Sequence, residues 1–443
     1  PSDVLAATVF RTMDPVREQT ALAEWVRARP LPVARDVAFI REHDEFCVLE
    51  GKVDFPIFQD GERPYFVEGG RIHFGADGEP VLQWTEEVLF ALAVPKGVMP
   101  AAGWPLTMFG NGTGGWRFSV MDRGEQSFDP GKGPAKFLGA RGIGAVATDP
   151  ILHWTRSPDG DPTGGWFFNP LNPHAIRDNL RQAAVEFTVV AGLAETLSLD
   201  PALCPASDAS AGPGGRIVYD PASLFYMSQS QGSTHGPSAV ATERRISAAV
   251  FSGAGGSAIY TMRYKTDFPV RDLISLAIGT FPELVEVFDP ALTLVQTVMD
   301  PAEALNFAGP MIREPILGGA PQHALVIEGK GDTYVPNPMD GALAAALGLD
   351  LVNPVLIPDH LEELALAGRS VVDAPVSLNN AEGPAPVTAA LVQYEPKPGK
   401  DGHFVTFTLN GPKHRYPCFL ASLVQTGAPV LPPANDDPLA PCE

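Results

Sequence analysis

The sequence predicts an α/β protein with a mostly parallel central sheet flanked by helices. Short buried apolar runs, such as residues 224–227 and 323–329, are typical of parallel strands. They alternate along the chain with helical patterns such as residues 173–193. A chain of 443 residues with 45% hydrophobic composition is long enough to bury a large core. These observations favour one large α/β domain with insertions, or two domains.

The first 85 residues are expected to form a β-rich extension that lies against the main sheet. A helical stretch near residues 19–28 is followed by short strand-like pieces, separated by turns such as those at residues 60–61 and 69–70. The alternating apolar residues of 88–94 then predict a clear strand. We therefore expect residues 1–85 to be an N-terminal extension.

The α/β core is expected in two pieces, residues 86–256 and 321–443. Between them, residues 257–320 are helical in pattern, are interrupted by prolines and contain no strand pattern of their own. An insertion of this size between two core strands predicts a helical cap over the cleft.

The charge of the chain excludes several kinds of partner. Fifty-two acidic residues against 31 basic residues give a net charge of −21. Such a charge argues against binding to nucleic acid or to anionic lipid surfaces. No apolar run approaches the roughly 18 residues of a membrane-spanning helix. Since the chain begins with Pro1 rather than Met, we expect an upstream segment, in which a secretory signal could have stood.

The four cysteines, Cys47, Cys204, Cys418 and Cys442, lack the close spacing of zinc and redox sites. Two disulfides are expected if the protein is exported, with Cys418 and Cys442 as the favoured pair. Four free buried thiols are the alternative. If the cysteines form disulfides, we expect a secreted or periplasmic protein.

The strongest local signal is the stretch 224–239, which reads LFYMSQSQGSTHGPSA. Its apolar start turns abruptly into small and polar residues, with Ser230 flanked two residues away by Ser228 and Gly232. A tight strand-to-helix turn needs small residues at these flanks, and it projects the central hydroxyl into a cleft. Ser230 is therefore the candidate nucleophile. Taken alone, the string also fits an ordinary turn rich in Ser and Gly.

A second signal is the stretch 105–116, PLTMFGNGTGGW, where an apolar strand enters a glycine-rich loop. The lysine of a P-loop is missing, and the glycines do not match the spacing of a dinucleotide fingerprint. An oxyanion hole fits better, because acyl transfer needs one amide from such a loop and one from the residue after the nucleophile. The predicted donors are the amides of Thr113 and Gln231, and an ordinary glycine-rich turn is the alternative.

Two further candidates each follow a predicted core strand. Asp332 comes directly after residues 323–329, and His403 follows the strand predicted at 387–394. The carboxyl ends of parallel strands are where catalytic groups gather. Asp332 is the candidate acid, with a solvated turn aspartate as the alternative, and His403 is the candidate base.

Two other histidines are weighed against His403. His235 comes about one helical turn after Ser230, so its side chain is expected to point away along the helix. His414 is the rival base, but its neighbours Lys413 and Arg415 suggest a solvated surface turn.

The order Ser230, Asp332, His403, on alternating strands and helices, resembles the α/β-hydrolase superfamily, whose triad residues follow in that order. From about residue 86 to 424 the chain is similar to extracellular bacterial lipases and esterases of that fold. FGNGTGG matches the oxyanion loop, SQSQG the nucleophile elbow, GKGDTYVP the segment of the acid and GHFV that of the histidine. The resemblance implies ester hydrolysis through an acyl-enzyme, with no metal or organic cofactor.

The sequence departs from the pattern of these relatives at three positions. Ser228 replaces the first glycine of the elbow, and Asn111 stands where many relatives have histidine. The change at Asn111 is expected to be mild, because the oxyanion donors are backbone amides. Pro237 falls in the helix after the elbow, where it costs little only if it lies in the first turn.

Three alternatives to a lipase or esterase remain at this point. A polyester depolymerase would share the triad and add an open cleft lined by aromatic residues, for which the Trp and Phe residues of 154–168 are candidates. A peptidase or amidase would use the same groups, but no charged pocket pattern for a peptide side chain is evident. A non-catalytic binding module would be expected to lack a triad member. The expected substrate is thus a small-molecule or polymeric ester, and the state of assembly is left open.

Overall fold

A computed structural model describes residues 12–267 and 270–442 of the chain. The strands within these residues are β1 (Arg35–Glu42), β2 (Phe46–Ile57), β3 (Trp84–Pro95), β4 (Gly97–Val98), β5 (Trp104–Gly110), β6 (Gly144–Thr148), β7 (Ser198–Leu199), β8 (Ser207–Asp208), β9 (Ile217–Gln229), β10 (Ile246–Ser252), β11 (His323–Gly329), β12 (Asp350–Val352), β13 (Val371–Val372) and β14 (Ala389–Tyr394).

The α-helices are α1 (Arg17–Arg27), α2 (Ser119–Asp122), α3 (Pro134–Gly139), α4 (Pro173–Thr196), α5 (Gln231–Thr242), α6 (Ala258–Tyr264), α7 (Val270–Ile278), α8 (Pro290–Met299), α9 (Ala304–Ile312), α10 (Asn337–Leu347), α11 (His360–Leu366), α12 (Val405–Thr408) and α13 (Asn410–Thr426). None of these described helices combines the length and the apolar character needed to cross a bilayer.

A 12-stranded sheet organises the described residues, in the order β1, β2, β3, β6, β5, β9, β10, β11, β14, β12, β13, with β7 paired to β9. The pairs from β1 to β6 are antiparallel, and those from β6 onwards to β13 are parallel. Because β5, β9, β11 and β14 run in the same direction, the loops that follow them emerge at one edge of the sheet.

Side chains of the strands point alternately to two cores, one on each face of the sheet. Leu224 and Tyr226 of β9 enter the first core, together with residues of α4, α5, α9 and α10. Phe225 and Met227 enter the second core, together with residues of α2, α3, α12 and α13. A mostly parallel sheet covered by helices on both faces confirms the predicted α/β fold class.

The N-terminal segment differs from the expected extension, since its strands continue the sheet instead of lying against it. The twelve residues of β2 pair with β3 from Phe46 opposite Pro95 to Ile57 opposite Trp84. Residues 1–11 of the predicted extension lie outside the described residues. The sheet therefore begins well before the boundary drawn at residue 85, because β2 buries Leu49 and Phe55 on the same face as the core strands.

The segment between β10 and β11 carries α6, α7, α8 and α9, and no strand occurs among its described residues. It has a small apolar cluster of its own around Met262, Val285 and Leu292. Large apolar side chains of this segment are also exposed, among them Leu276 at 80% and Phe288 at 92%. That residues 257–320 act as a cap over the cleft therefore stays a proposal.

Two disulfides connect distant parts of the chain. Cys418 of α13 is bonded to Cys442, which confirms the predicted pair. Cys47 of β2 is bonded to Cys204, across a sequence separation of 157 residues. The first disulfide attaches the C-terminal tail to α13, and the second attaches β2 to the segment that precedes β9.

Candidate active site

Ser230 lies at a sharp turn between β9 and α5, as predicted. It is the only residue between the end of the strand at Gln229 and the start of the helix at Gln231. Its backbone has φ 58° and ψ −121°, a region that residues other than glycine rarely adopt. Such strain at a strand-to-helix turn is a property of the nucleophile elbow.

Close packing explains the small residues on each side of Ser230. A Cβ atom added at Gly232 would lie 2.1 Å from the carbonyl oxygen of Gly110 in β5. Ser228 is buried, and its Oγ lies 2.9 Å from Ser233 Oγ. Ser233 Oγ in turn donates to the carbonyl oxygen of Ser252, at 2.9 Å. Ser228, which stands in place of the first glycine of the elbow, thus belongs to a hydrogen-bonded network with Ser233 and Ser252.

Pro237 does not lie in the first turn of the helix after the elbow. The helix begins at Gln231, so Pro237 lies in its second turn. There the proline removes the amide that would have bonded to the carbonyl oxygen of Ser233. The condition under which Pro237 would cost little is therefore not met, and α5 continues to Thr242 in spite of it.

Asp332 and His403 are joined directly. His403 Nδ1 lies 2.7 Å from Asp332 Oδ2, and since a carboxylate can only accept, the ring nitrogen donates. The other carboxylate oxygen accepts from the amides of Tyr334, at 2.9 Å, and Val335, at 2.8 Å. Both side chains are buried. The carboxylate is fixed by these contacts, and it fixes the orientation of the ring.

The loops that carry these two residues touch backbone to backbone. A Cβ atom at Gly329, the last residue of β11, would lie 2.0 Å from the carbonyl oxygen of Gly402. A Cβ atom at Gly402 would lie 2.6 Å from the carbonyl oxygen of Gly329. Glycine at both positions lets the acid loop and the histidine loop approach each other.

Two contacts of the histidine loop were not assigned from the sequence. The Tyr334 ring stacks on the His403 ring, with centroids 4.8 Å apart and planes at 24°. Asp401 Oδ1 accepts from the amide of His403 at 2.8 Å, and Asp401 Oδ2 accepts from the Thr333 hydroxyl at 2.6 Å. The sequence offered one signal, since Asp401 is two residues before the candidate base.

His403 lies beside the ends of β9 and β10, at the edge of the sheet where Ser230 lies. The side-chain amide of Gln229 donates to the carbonyl oxygen of His403, at 3.4 Å. The amide of Ser230 donates to Ser252, and a Cβ atom at the next residue, Gly253, would lie 2.8 Å from His403 Nδ1. No hydrogen bond from Ser230 Oγ to His403 is formed among the described residues. Catalytic hydrogen bonds are often long without substrate and tighten when it binds.

The two rival histidines are buried elsewhere. His414 lies inside α13, where Nε2 contacts the carbonyl oxygen of Pro441 at 3.0 Å. The expected solvated turn at residues 413–415 is wrong, because α13 packs these residues beneath the C-terminal tail. His235 stacks on Phe187 of α4, with ring centroids 5.8 Å apart, and burial lowers its pKa to about 3.

The glycine-rich loop after β5 runs directly beside the elbow. A Cβ atom at Gly112 would lie 3.1 Å from the Cβ atom of Ser230. The Thr113 hydroxyl donates to Gln231 Oε1 at 2.9 Å, which links the two predicted oxyanion residues. Among the described residues, neither the Thr113 amide nor the Gln231 amide donates a hydrogen bond. Both predicted donors are therefore near Ser230 and have no protein acceptor there.

Asn111 supports this loop from the side. Its Nδ2 donates to the carbonyl oxygen of Thr148 at the end of β6, at 3.0 Å. The asparagine therefore holds the loop to the neighbouring strand.

The aromatic residues of 154–168 lie near the oxyanion loop. Trp154 Nε1 donates to the carbonyl oxygen of Gly114 at 3.2 Å, and its ring stacks on Trp116 at 5.1 Å. Phe167 is buried, and Phe168 is 40% exposed. Within residues 12–267 and 270–442, no group of three or more His, Cys, Asp or Glu residues is arranged to hold a metal ion.

Comparisons with known proteins find similarity in structure only. No protein-family profile matches the chain, and no curated protein matches its sequence. An acetyl xylan esterase from a Paenibacillus species is 14% identical, with 77% of this chain and 87% of that chain covered and a TM-score of 0.45. Acetyl xylan esterase 1 from a Thermoanaerobacterium species is 11% identical, with 88% and 92% covered and a TM-score of 0.44.

A glucuronoyl esterase from Solibacter usitatus is 11% identical, with 85% of this chain and 87% of that chain covered and a TM-score of 0.43. Because the identities and the TM-scores are low, we conclude nothing about substrate or mechanism from these similarities.

Proposed function

We propose that the chain is a serine hydrolase that cleaves carboxylic esters in the manner of an esterase or lipase. The observation that carries the proposal is the buried Asp332–His403 pair, at 2.7 Å, on loops at the sheet edge where Ser230 occupies a strained elbow. A nucleophile, a base and a group that orients the base are the three parts that acyl transfer by serine requires.

In the proposed mechanism, Ser230 Oγ attacks the ester carbonyl carbon while His403 Nε2 takes the hydroxyl proton. Asp332 holds the other ring nitrogen, Nδ1, so Nε2 is the nitrogen that accepts. Asp332 also stabilises the imidazolium that forms. The imidazolium then gives its proton to the leaving alkoxide, and the acyl group stays on Ser230.

The oxyanion of the tetrahedral intermediate is proposed to bind the amides of Thr113 and Gln231. Their lack of acceptors among the described residues supports this assignment. The Gln231 amide is also at the N-terminus of α5, where the helix dipole favours negative charge. Water, deprotonated by His403, would then attack the acyl-enzyme and release the carboxylic acid.

We also propose that the protein acts outside the cytoplasm, in the periplasm or as a secreted protein. The two disulfides support this, because such bonds persist mainly in oxidising compartments. The helical segment 257–320 is proposed to cover the cleft, which would set the size of ester that is accepted.

The function is tested with p-nitrophenyl esters of increasing acyl length, comparing the wild type with Ser230→Ala. We expect hydrolysis by the wild type and a loss of several orders of magnitude in kcat for Ser230→Ala. The matched control is Ser210→Ala, a change at an exposed turn just after β8, which should retain activity. Equal activity of wild type and Ser230→Ala would contradict the proposal.

A polyester film in the same assay tests the polymer alternative. The stacked side chains of Trp154 and Trp116 near the oxyanion loop support this alternative, because a polyester depolymerase would have a cleft lined by aromatic residues. Release of soluble acids from the film would widen the proposed substrate range to polymers. Hydrolysis of soluble esters alone would restrict it.

A further inference from the structure

Arg123 lies beside the candidate active site without an acidic partner. It directly follows α2. Among the described residues, it forms no ion pair with a carboxylate. Its guanidinium lies over two rings of the histidine loop, 5.2 Å from the centroid of Phe404 and 4.7 Å from that of Phe407. Its one side-chain hydrogen bond among the described residues is a long one, from Nη1 to Gln229 Oε1 at 3.4 Å.

Its surroundings differ from those of a structural arginine of the same chain. Arg156 is fully buried, and its guanidinium pairs with Glu86 at 2.8 Å and with Glu186 at 2.6 Å. A buried arginine normally has such partners, because an unpaired charge loses its hydration without compensation. Arg123 is half-buried, and it has no such partner among the described residues. Burial lowers the pKa of Arg123 to about 10, so it remains a cation at neutral pH. Arg123 therefore keeps its charge and most of its donors without a protein acceptor.

The position of Arg123 connects it to both reacting groups of the proposed triad. Gln229, which accepts its hydrogen bond, is the residue immediately before Ser230 and also bonds to the backbone of His403. Phe404, over which the guanidinium lies, directly follows His403, and the two rings are 5.0 Å apart. Arg123 therefore lies against the residues that directly flank Ser230 and His403 in the chain.

The geometry points to Arg123 as a specificity-determining residue that binds a free carboxylate of the ester substrate. This inference rests on the proposed ester hydrolysis and adds the class of substrate, an ester that carries a second, ionised carboxyl group. The planar guanidinium can donate two parallel hydrogen bonds to a carboxylate. Phe404 and Phe407 would hold the guanidinium while it does so.

One negative charge is a better match to this position than two. Lys265, whose ammonium lies 5.8 Å from the Tyr334 ring, is already paired with Asp267 at 2.8 Å. The single positive charge of Arg123 balances one carboxylate fully and a phosphate dianion only in part.

The test compares monoethyl esters with diethyl esters of succinate, adipate and suberate, with acid release followed by titration. Within each pair the scissile bond is the same and only the distal carboxylate differs. We expect the wild type to favour the monoethyl ester at the best chain length. In Arg123→Gln the ratio of kcat/KM for monoester over diester should fall by ~10- to 100-fold, the usual loss for a charge-assisted hydrogen bond.

Two further variants make the result specific. Arg123→Lys keeps the charge but loses the planar fork, so its ratio should lie between those of wild type and Arg123→Gln. Arg29→Gln is the matched control. The Arg29 guanidinium also lies over an aromatic ring, 3.9 Å from the centroid of Trp25, but Arg29 comes just after α1. Its ratio should equal that of the wild type.

Because each ratio is measured within one variant, a loss of folded protein cancels from it. A wild type that cleaves diesters at least as well as every monoester would overturn the inference, as would an unchanged ratio in Arg123→Gln. A wild type that cleaves p-nitrophenyl esters but none of these esters would also overturn the inference, whereas failure to cleave p-nitrophenyl esters as well would contradict the proposed hydrolase function.

Discussion

The carboxylate of Asp401 accepts a hydrogen bond from the hydroxyl of Thr333 at 2.6 Å and another from the amide of His403 at 2.8 Å. Thr333 follows the candidate acid Asp332, and Asp401 precedes the candidate base by two residues. One carboxylate thus connects the acid loop to the histidine loop. The separation between Asp332 and His403 depends on this connection as well as on their own hydrogen bond.

Removal of that connection should slow catalysis without weakening substrate binding. In Asp401→Ala we expect kcat to fall by ~10-fold or more with KM within a factor of three, since the ring of His403 loses its support. Asp401→Asn keeps one acceptor oxygen and should recover part of kcat. The control is Asp208→Ala, because Asp208 makes a similar turn bond to the amide of Ser210, at 3.0 Å, away from the site. A rise in KM with unchanged kcat would show that Asp401 does not position the base.

The elbow should not tolerate a side chain at Gly232. In Gly232→Ala the new methyl group would lie 2.1 Å from the carbonyl oxygen of Gly110, so β5 or α5 must shift. We expect the free energy of unfolding to fall by ~1–3 kcal/mol, together with most of the esterase activity.

The matched control for this change is Gly309→Ala in α9, where the nearest atom to the new methyl group would be Arg313 Nη2, at 3.6 Å. That variant should gain up to ~1 kcal/mol, because alanine is a better helix former than glycine. Denaturant unfolding of both variants measures the two effects, and equal effects would contradict the packing described for the elbow.

The sequence was sufficient for the parts of the site that depend on local chemistry. A small-residue turn after a buried strand indicated Ser230 as the candidate nucleophile, and positions just after strands indicated Asp332 and His403 as the candidate acid and base; the structure has all three at those positions. Parallel strands bring such loops to one edge, so the juxtaposition could be predicted from order alone. The pairing of Cys418 with Cys442 followed from their proximity in the chain.

Features that depend on long-range packing could not be predicted in this way. Lys413, His414 and Arg415 are polar and so suggested a surface turn, yet the C-terminal tail covers them in α13. The sequence left open whether Pro237 lies in the first turn of the helix after the elbow, and the structure has it in the second turn of α5. Arg123 was not identified from the sequence as a candidate binding residue, because an arginine becomes one only when the structure shows that no carboxylate pairs with it.

The disulfides should differ in their contribution to stability. In the chain-entropy description, closing a loop of 157 residues stabilises by ~5 kcal/mol and one of 24 residues by ~3.4 kcal/mol. Loss of Cys47–Cys204 through a double Cys→Ser change should therefore lower the unfolding free energy more than loss of Cys418–Cys442. Non-reducing peptide mapping should first find both pairs in the native protein. Four alkylatable thiols there would contradict both disulfides and the proposed location.

The stability of the protein should decrease as the pH falls below ~6.5, the ordinary pKa of histidine. Burial lowers the pKa of His235 to about 3 and that of His153 to about 4, so the folded state resists protonation of both rings. The unfolded chain binds these protons at higher pH. The contribution of each ring is therefore complete above the unfolded pKa and is lost at up to ~1.4 kcal/mol per pH unit below it.

The variant His235→Leu tests this pH dependence, because leucine removes the titrating group and keeps an apolar contact with Phe187. Unfolding free energies at pH 4.5, 5.5 and 6.5 should depend less steeply on pH in the variant than in the wild type. His360 provides the opposite case: against the lowering effect of burial, its hydrogen bond to Glu328 raises its pKa, so its contribution is kept at low pH. Parallel pH profiles for wild type and His235→Leu would show that His235 titrates normally.

The most direct test of the proposed mechanism is covalent labelling with a fluorophosphonate, followed by mapping of the modified peptide. Such a reagent reacts with a serine only where a base activates the hydroxyl and an oxyanion hole holds the phosphoryl oxygen. We predict one adduct, on Ser230, that is absent from Ser230→Ala and strongly slowed in His403→Ala. His414→Gln should label at the wild-type rate, provided that it folds as judged by circular dichroism. An adduct on Ser228 or Ser233, or an enzyme that hydrolyses esters without labelling at Ser230, would contradict the central claim.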